Sequence, residues 1–392
     1  MSQSAYIHIP FCKRKCNYCT FVSYPKLDLK EKYLNALGEE IDFFYNGETL
    51  DTIYFGGGTP SLLSVDDIEN ILNMLKINPS PLTPTDKSVP SSVRLLCRRR
   101  LICLPQRARG KKSEITLEIN PETVDEEYFE DLRKIGVNRL SIGVQDFDDD
   151  ILKLIGRGHN SSQAVEVVKS AQNVGFDNIS IDLIYGLPNQ TLQSFETSLN
   201  KAFELNIQHI SLYGLKIEKD CYFYKNKPQN LPDDDMQAEF YLKAVELCEK
   251  NGFEHYEISN FSLKGFESKH NLNYWNNKNY YGFGCAASGY EDNIRYYNEI
   301  DLEKYIKNPI KKFHEDVLTS KQQMEEEIFL GFRKAEGINV SQINERYGVD
   351  FEKMFFKPLK KYSEKYILKT EKGYRFSNDG FLVSNIILSE FI

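Results

Sequence analysis

The chain has 392 residues, a formal net charge of −8 and 41% hydrophobic residues, with 24 Tyr and 25 Phe but 1 Trp. That length implies a main domain with a smaller one beside it, the apolar fraction suffices for a sizeable core, and the acidic balance argues against nucleic acid as a partner. The start lacks the basic and apolar regions of a signal peptide, no stretch approaches a membrane span, and 8 Cys without an export signal imply a reducing compartment, the cytoplasm.

Tyr6 to Ile9 alternates like a buried strand and stops at Pro10, which lacks the N–H that a sheet ladder needs. Cys12, Cys16 and Cys19 follow with C-x3-C-x2-C spacing, on the loop that leaves the strand's C-terminal end. Three thiolates this close suit one metal centre, and three ligands on a four-iron cluster leave one iron open to a small molecule. The alternatives are a zinc knuckle, a disulfide or three buried thiols. Zinc needs a fourth ligand, which Thr20 and Phe21 do not supply, and His8 lies in the strand with the wrong spacing.

Helical periodicity covers 29–45 and 65–77, with an apolar strand at 52–55 between them. Gly56-Gly57-Gly58-Thr59-Pro60-Ser61 follows that strand at once. At a strand end of a parallel sheet, where ligands bind, three glycines let backbone N–H groups approach a carboxylate or an amino acid. Residues 79–112 break the pattern, and 93–112 are basic with no acidic residue. A disordered insertion is the favoured reading, with a docking patch for an acidic partner or anionic lipid as the alternative. Cys97 and Cys103 belong to this segment and are not counted as ligands.

Strand 114–119 then carries Glu118, strand 138–144 delivers Gln145, and a short helix at 151–155 leads to Arg157. Strand 178–184 carries Asp182 and strand 208–215 is the sixth, with helices at 125–135, 161–174 and 190–205 between. Six strand–helix alternations predict an α/β fold with a partial barrel of about six parallel strands. Charged residues at successive strand ends read as site residues. A carboxylate takes an ammonium, an arginine clamps a carboxylate, and an aspartate accepts ribose hydroxyls.

A helix at 234–251 leads to His270-Asn271-Leu272-Asn273-Tyr274-Trp275. Composition favours a packed aromatic patch with His270 hydrogen-bonded inside it; the alternative is an aromatic wall for a flat macrocycle with His270 as axial ligand. The tail reads as helices at 325–335, 340–346 and 351–363 and a hairpin-like end, with no evident basic recognition face.

The strings YIHIPFCKRKCNYC, YFGGGTPSLL, ITLEINPETV, RLSIGVQDF, IGRGH and IDLIYGLP occur in that order within residues 6–213. Together they resemble the radical S-adenosylmethionine (SAM) superfamily, in the branch of oxygen-independent coproporphyrinogen III oxidase and the HemW heme chaperones. The resemblance implies a partial (βα)6 radical SAM barrel over 1–225, a barrel extension with the aromatic and His motif over 226–310, and a small C-terminal winged-helix-like α+β domain over 311–392. It implies a 4Fe-4S cluster on Cys12, Cys16 and Cys19, with SAM contacts from Tyr6, Gly57 and Glu118. Tyr18, Gly58, Thr59, Gln145, Arg157 and Asp182 match positions that line a second SAM site in the oxidase. The HNLNYW string matches the heme motif of the chaperone group, which makes His270 the candidate heme ligand.

Two departures separate the chain from the decarboxylating oxidase. Phe21 stands where that branch has a further cysteine, and only five residues precede Tyr6 where it has an N-terminal extension. The expected function is therefore a heme chaperone that passes heme to apo-hemoproteins such as respiratory enzymes. Peripheral membrane contact is a further expectation, and nucleic acid is not expected. Porphyrinogen decarboxylation is the alternative, and a structural iron–sulfur or zinc protein without SAM chemistry is a third.

Overall fold

The computed structural model describes residues 3–75 and 113–392. The expected insertion, with Cys97, Cys103 and the basic stretch 93–112, lies outside the described residues. Six strands follow one another in sequence and in space: β1 (Gln3–Ile9), β2 (Leu50–Gly57), β3 (Glu114–Ile119), β4 (Arg139–Gln145), β5 (Ile179–Tyr185) and β6 (His209–Gly214), all parallel. The helices between them are α1 (Lys30–Phe44), α2 (Val65–Met74), α3 (Glu126–Lys134), α4 (Asp149–Leu154), α5 (Ser161–Asn173) and α6 (Leu192–Glu204). Ser64, Asn160 and Thr191 start α2, α5 and α6 with reciprocal capping boxes that satisfy two end N–H groups each. This is the expected α/β half-barrel.

Side-chain period 2 divides the barrel into two chemistries. One set of positions is aliphatic or aromatic and fully buried under the helices: Ile7, Phe55, Leu117, Ile142, Ile181 and Ile210. The alternate set is polar: Tyr6 and His8 on β1, Thr52 on β2, Glu118 on β3, Ser141 on β4, Asp182 on β5 and His209 on β6. Hydrogen bonds across the strands, Ser141 to Asp182 (3.0 Å) and Ser180 to His209 (2.7 Å), tie this second set together in the lumen. A polar lumen inside an apolar jacket is built to receive a polar ligand.

The stretch expected as a single barrel extension divides between the two edges of the open barrel. After α7 (Tyr222–Lys225) and α8 (Asp234–Lys250), β7 (Glu254–Glu257) and β8 (Asn260–Ser262) form an antiparallel pair, and β8 adds antiparallel to β6. The chain then passes beneath the N-terminal ends of the strands as α9 (Lys269–Trp275). It emerges as β9 (Tyr280–Phe283), parallel to β1 at the opposite edge. β10 (Ser288–Glu291), β11 (Ile294–Asn298), α10 (Leu302–Lys307) and β12 (Lys312–Val317) follow, and the three strands complete a 12-stranded sheet. Because β12 belongs to this sheet, the boundary expected between 310 and 311 falls inside it.

A buried carboxylate holds this added edge. Glu40 on α1 is 0% exposed and accepts from Gly284 N (2.7 Å), Asn298 Nδ2 (2.7 Å), the Tyr305 hydroxyl (2.7 Å) and Lys312 Nζ (2.9 Å). Four donors from four segments on one carboxylate satisfy a charge that would otherwise not tolerate burial.

The remainder is α11 (Ser320–Gly331), β13 (Ile338–Asn339), α12 (Val340–Tyr347), α13 (Phe351–Met354), α14 (Phe356–Tyr362), β14 (Ile367–Lys369), β15 (Gly373–Phe376), α15 (Asn378–Leu382) and α16 (Ser384–Leu388). Its strands form a small antiparallel sheet in the order β13-β15-β14. Two backbone bonds dock it on the barrel: Ile258 N to Arg333 O (2.9 Å) and Ala335 N to Tyr256 O (3.0 Å). Among the described residues, no helix is long and apolar enough to cross a membrane.

Candidate functional site

The cysteine loop leaves the C-terminal end of β1 and is pinned at three places. Tyr24 N donates to Pro10 O (2.8 Å), and His8 Nε2 bonds the Val22 carbonyl (2.9 Å). Between them, Asn17 N donates to Ile155 O (2.9 Å) and Asn17 Nδ2 to Leu154 O (2.8 Å), while Asn17 O accepts from Phe223 N (2.9 Å). Asn17 was not among the residues expected at the site. Its only signal in the sequence is its place between Cys16 and Tyr18.

Cys12, Cys16 and Cys19 are free thiols and half-buried. Thr59 Oγ1 lies 3.3 Å from Cys12 Sγ, and Arg157 Nη1 lies 3.6 Å from Cys16 Sγ. Burial chiefly, with the neighbouring Cys16 and Cys12, pushes Cys19 up to about 11. The thiols thus feel one another. Yet among the described residues, no group of three or more His, Cys, Asp or Glu side chains is drawn together as ligands of one metal ion.

The glycine triplet controls how close β2 comes to its neighbours. A Cβ on Gly56 would sit 2.9 Å from the Tyr6 ring and 3.0 Å from Glu118 Oε1, so its absence lets those two side chains meet. Gly57 has φ of 112°, and a Cβ there would strike the His8 ring at 2.6 Å. Gly57 N donates to Glu118 Oε2 (3.1 Å), and Tyr54 OH donates to Glu118 Oε1 (3.0 Å). Tyr6, Gly57 and Glu118 therefore come together as one group, and Gly56 joins them. Burial first and Asp182 second raise the Glu118 carboxyl to about 7, against the pull of Tyr54 and Gly57.

The other expected residues occupy separate parts of the mouth. Gly58 N donates to Ile9 O (2.8 Å), which puts Gly58 and Thr59 beside the start of the cysteine loop. Burial chiefly raises the Tyr18 phenol, against the pull of the Arg157 guanidinium. Arg157 Nη2 donates to Gly143 O (2.6 Å) and Asn120 Oδ1 (3.0 Å). Gln145 ends β4 at φ of 73°, a left-handed conformation that a non-glycine residue adopts at a cost of about 1–3 kcal/mol. Asp182 lies deeper, held by Ser141, and burial raises its carboxyl.

His270 is at the other end of the barrel. It is 1% exposed, with Nδ1 on Thr52 Oγ1 (2.7 Å) and Nε2 on Tyr274 OH (2.8 Å). Its backbone N donates to Glu114 Oε1 (3.3 Å), and its ring stacks on Tyr54 at 5.0 Å between centroids. Burial, and then Arg139, lower it to about 3, so the imidazole is neutral. This is the hydrogen-bonded aromatic patch that composition favoured. It is also the floor of the lumen whose upper wall is Glu118, joined to it through Tyr54.

Residues 6–202 match the radical SAM superfamily, and residues 318–383 match the HemN C-terminal domain. The heme chaperone HemW of Lactococcus lactis subsp. lactis is 36% identical, over 99% of this chain and 97% of its own length. The chain belongs to the HemW family of radical SAM proteins. The Bacillus subtilis heme chaperone HemW is likewise 36% identical, over 100% of this chain and 99% of its own. Among solved structures, coproporphyrinogen III oxidase (HemN) from Escherichia coli superposes with a TM-score of 0.80 over 100% of this chain and 90% of its own, at 21% identity. At that identity the likeness concerns the fold. Membership of the radical SAM superfamily implies a 4Fe-4S cluster and SAM, and the half-buried thiol loop at an open barrel mouth fits both.

Proposed function

We propose that this chain is a heme chaperone of the cytoplasm. It would hold a 4Fe-4S cluster on Cys12, Cys16 and Cys19, bind SAM between that cluster and the lumen, and deliver heme to apo-hemoproteins such as respiratory enzymes. The observation that carries the cofactor part is the loop of three free, half-buried thiols at the C-terminal end of β1, in a chain that matches the radical SAM superfamily over residues 6–202. The heme part rests on relatives called heme chaperones that align over nearly the whole chain.

Each residue has a role in this reading. Glu118 takes the SAM ammonium, with Tyr6 and Gly57 beside it. Arg157, next to Cys16, clamps the SAM carboxylate. Tyr18, Gly58, Thr59, Gln145 and Asp182 line the rest of the mouth and lumen, with Asp182 placed to accept hydroxyl groups. When bound, the cluster supplies one-electron reduction of SAM, and the protein positions the two and limits water.

The Glu118 role predicts a pH dependence. With a value of about 7, Glu118 is neutral below that pH and attracts an ammonium only above it. SAM affinity is expected to fall as pH drops through about 7, and to fall again above about 8, where α-amino groups lose their proton. Equilibrium dialysis of SAM across this range checks it. A flat profile would remove Glu118 as the ammonium partner.

Heme ligation by His270 requires α9 to leave the barrel floor, because a macrocycle cannot reach a side chain that is 1% exposed. The bond from Nε2 to Tyr274 must then break. An anaerobic heme titration of the cluster-reconstituted protein, beside His270→Ala, tests the whole reading. A stoichiometric spectral change that weakens in the variant is expected. An unchanged spectrum in the variant removes His270 as ligand. No heme binding at micromolar concentration with the cluster intact overturns the chaperone reading, and porphyrinogen decarboxylation would be assayed next.

A further inference from the structure

The C-terminal domain carries a charge opposite to that of the whole chain. From Phe351 to Phe376, seven lysines and Arg375 stand against Glu352, Glu364 and Glu371, in a protein of net charge −8. All seven lysines are exposed. Lys361 pairs with Glu390 and Lys369 with Glu352, whereas Lys353, Lys357 and Lys360 meet no carboxylate among the described residues. In an acidic chain the sequence showed no basic recognition face in the tail. The fold gathers the lysines on α13, α14 and the β14–β15 hairpin.

Two large apolar side chains share this surface. Met354 is 51% exposed and Phe356 is 61% exposed, although the same short helices bury Phe351, Phe355 and Leu359 in the domain core. Lys360 Nζ lies 5.8 Å from the centre of the Phe356 ring. Beside them, a cavity of about 720 Å³ opens between α14 and the hairpin, lined by Phe356, Leu359, Ile367 and Arg375 among others.

We propose that this face docks on an anionic lipid surface. Met354 and Phe356 enter the boundary between headgroups and acyl chains, and Lys353, Lys357 and Lys360 lie among the headgroup phosphates. The composition favours lipid over nucleic acid. Residues 351–362 contain no Asn, Gln, Ser, Thr or Arg, the side chains that read base edges or grip phosphates in bidentate fashion. Lysine is a point charge on a flexible apolar stem, which suits a fluid headgroup layer. An exposed Met and Phe between such lysines gain free energy only where an apolar phase is available.

Co-sedimentation of the full chain with phosphatidylcholine vesicles, with and without phosphatidylglycerol, tests this. Binding is expected only with phosphatidylglycerol, and it weakens as salt is added. The variant Lys353→Glu/Lys357→Glu/Lys360→Glu is expected to lower partitioning on the order of a hundredfold or more. Met354→Ser/Phe356→Ser is expected to lower it at every salt concentration. All five side chains are exposed, so far-ultraviolet circular dichroism and the unfolding midpoint are expected to stay unchanged in both variants. No binding to phosphatidylglycerol vesicles overturns the proposal, and so does binding that survives charge reversal. Binding of a DNA duplex in place of the vesicles would assign the face to nucleic acid and overturn it as well.

Discussion

Replacing Cys16 with alanine is expected to leave the reconstituted chain with iron and acid-labile sulfide near background, while its far-ultraviolet circular dichroism is unchanged. Cys16 is the middle thiol of the loop. It is half-buried, faces Arg157 at 3.6 Å, and its carbonyl accepts from Cys19 N (3.2 Å). Removing it leaves two thiolates where the proposed cluster needs three, and deletes little core volume. The barrel therefore stands without it. Cys221 is the control: it is 1% exposed in the small apolar cluster of Ile151, Leu152 and Phe223 beneath the loop. Cys221→Ala is expected to keep its iron and lose some stability. Iron retained in Cys16→Ala, or lost equally in both variants, would remove the three-thiol centre from the proposal.

The second large effect is on stability. Glu40→Ala is expected to destabilise the chain by about 3–5 kcal/mol, the cost typical of breaking a buried pair on one side. Lys312 Nζ, with a side chain 7% exposed, would lose its carboxylate, Gly284 N and the Tyr305 hydroxyl would lose their acceptor, and Asn298 Nδ2 would keep only the Gly282 and Gly284 carbonyls. The damage reaches the site by a short path. Gly284 lies at the end of β9, which pairs with β1, and Tyr33 on α1 donates to the His8 carbonyl on β1 itself. Urea unfolding checks the value: a lower midpoint at unchanged slope is the expected result. Lys312→Met in the same chain is expected to return part of the loss, because an apolar side chain leaves no unpaired charge behind. A loss below about 1 kcal/mol would mean that water reaches Lys312 and replaces the carboxylate.

The barrel was legible because each of its segments carries its own signal. Alternation in NRLSIGV and NISIDLI marks strands with one apolar and one polar face, and the helices between them end at glycines such as Gly136 and Gly175, both at positive φ. The mouth was legible for the same reason. Cys12, Gly57, Glu118 and Gln145 lie at or near the C-terminal ends of parallel strands, where side chains from distant segments converge whatever the loops do, and Asp182 lies deeper on β5.

What escaped was every feature made by a partner remote in sequence. The pairing of β1 with β9 joins Ser4 to Tyr280, and nothing in either segment specifies the other. Glu40 reads as an ordinary surface residue of an amphipathic helix until Lys312 and Asn298 arrive. Composition favours His270 as a core group while the resemblance makes it a heme ligand, and in this conformation its position over Thr52 and Glu114 closes the barrel floor. The lysines of α13 and α14 become a surface only when the small domain folds and turns Phe351 and Phe355 inward. Local sequence determined which face of each strand and helix is apolar, because burial imposes a period on the segment that undergoes it. Tertiary structure alone decided which neighbour covers that face, because in an apolar core many neighbours serve equally well and only the assembled chain selects one.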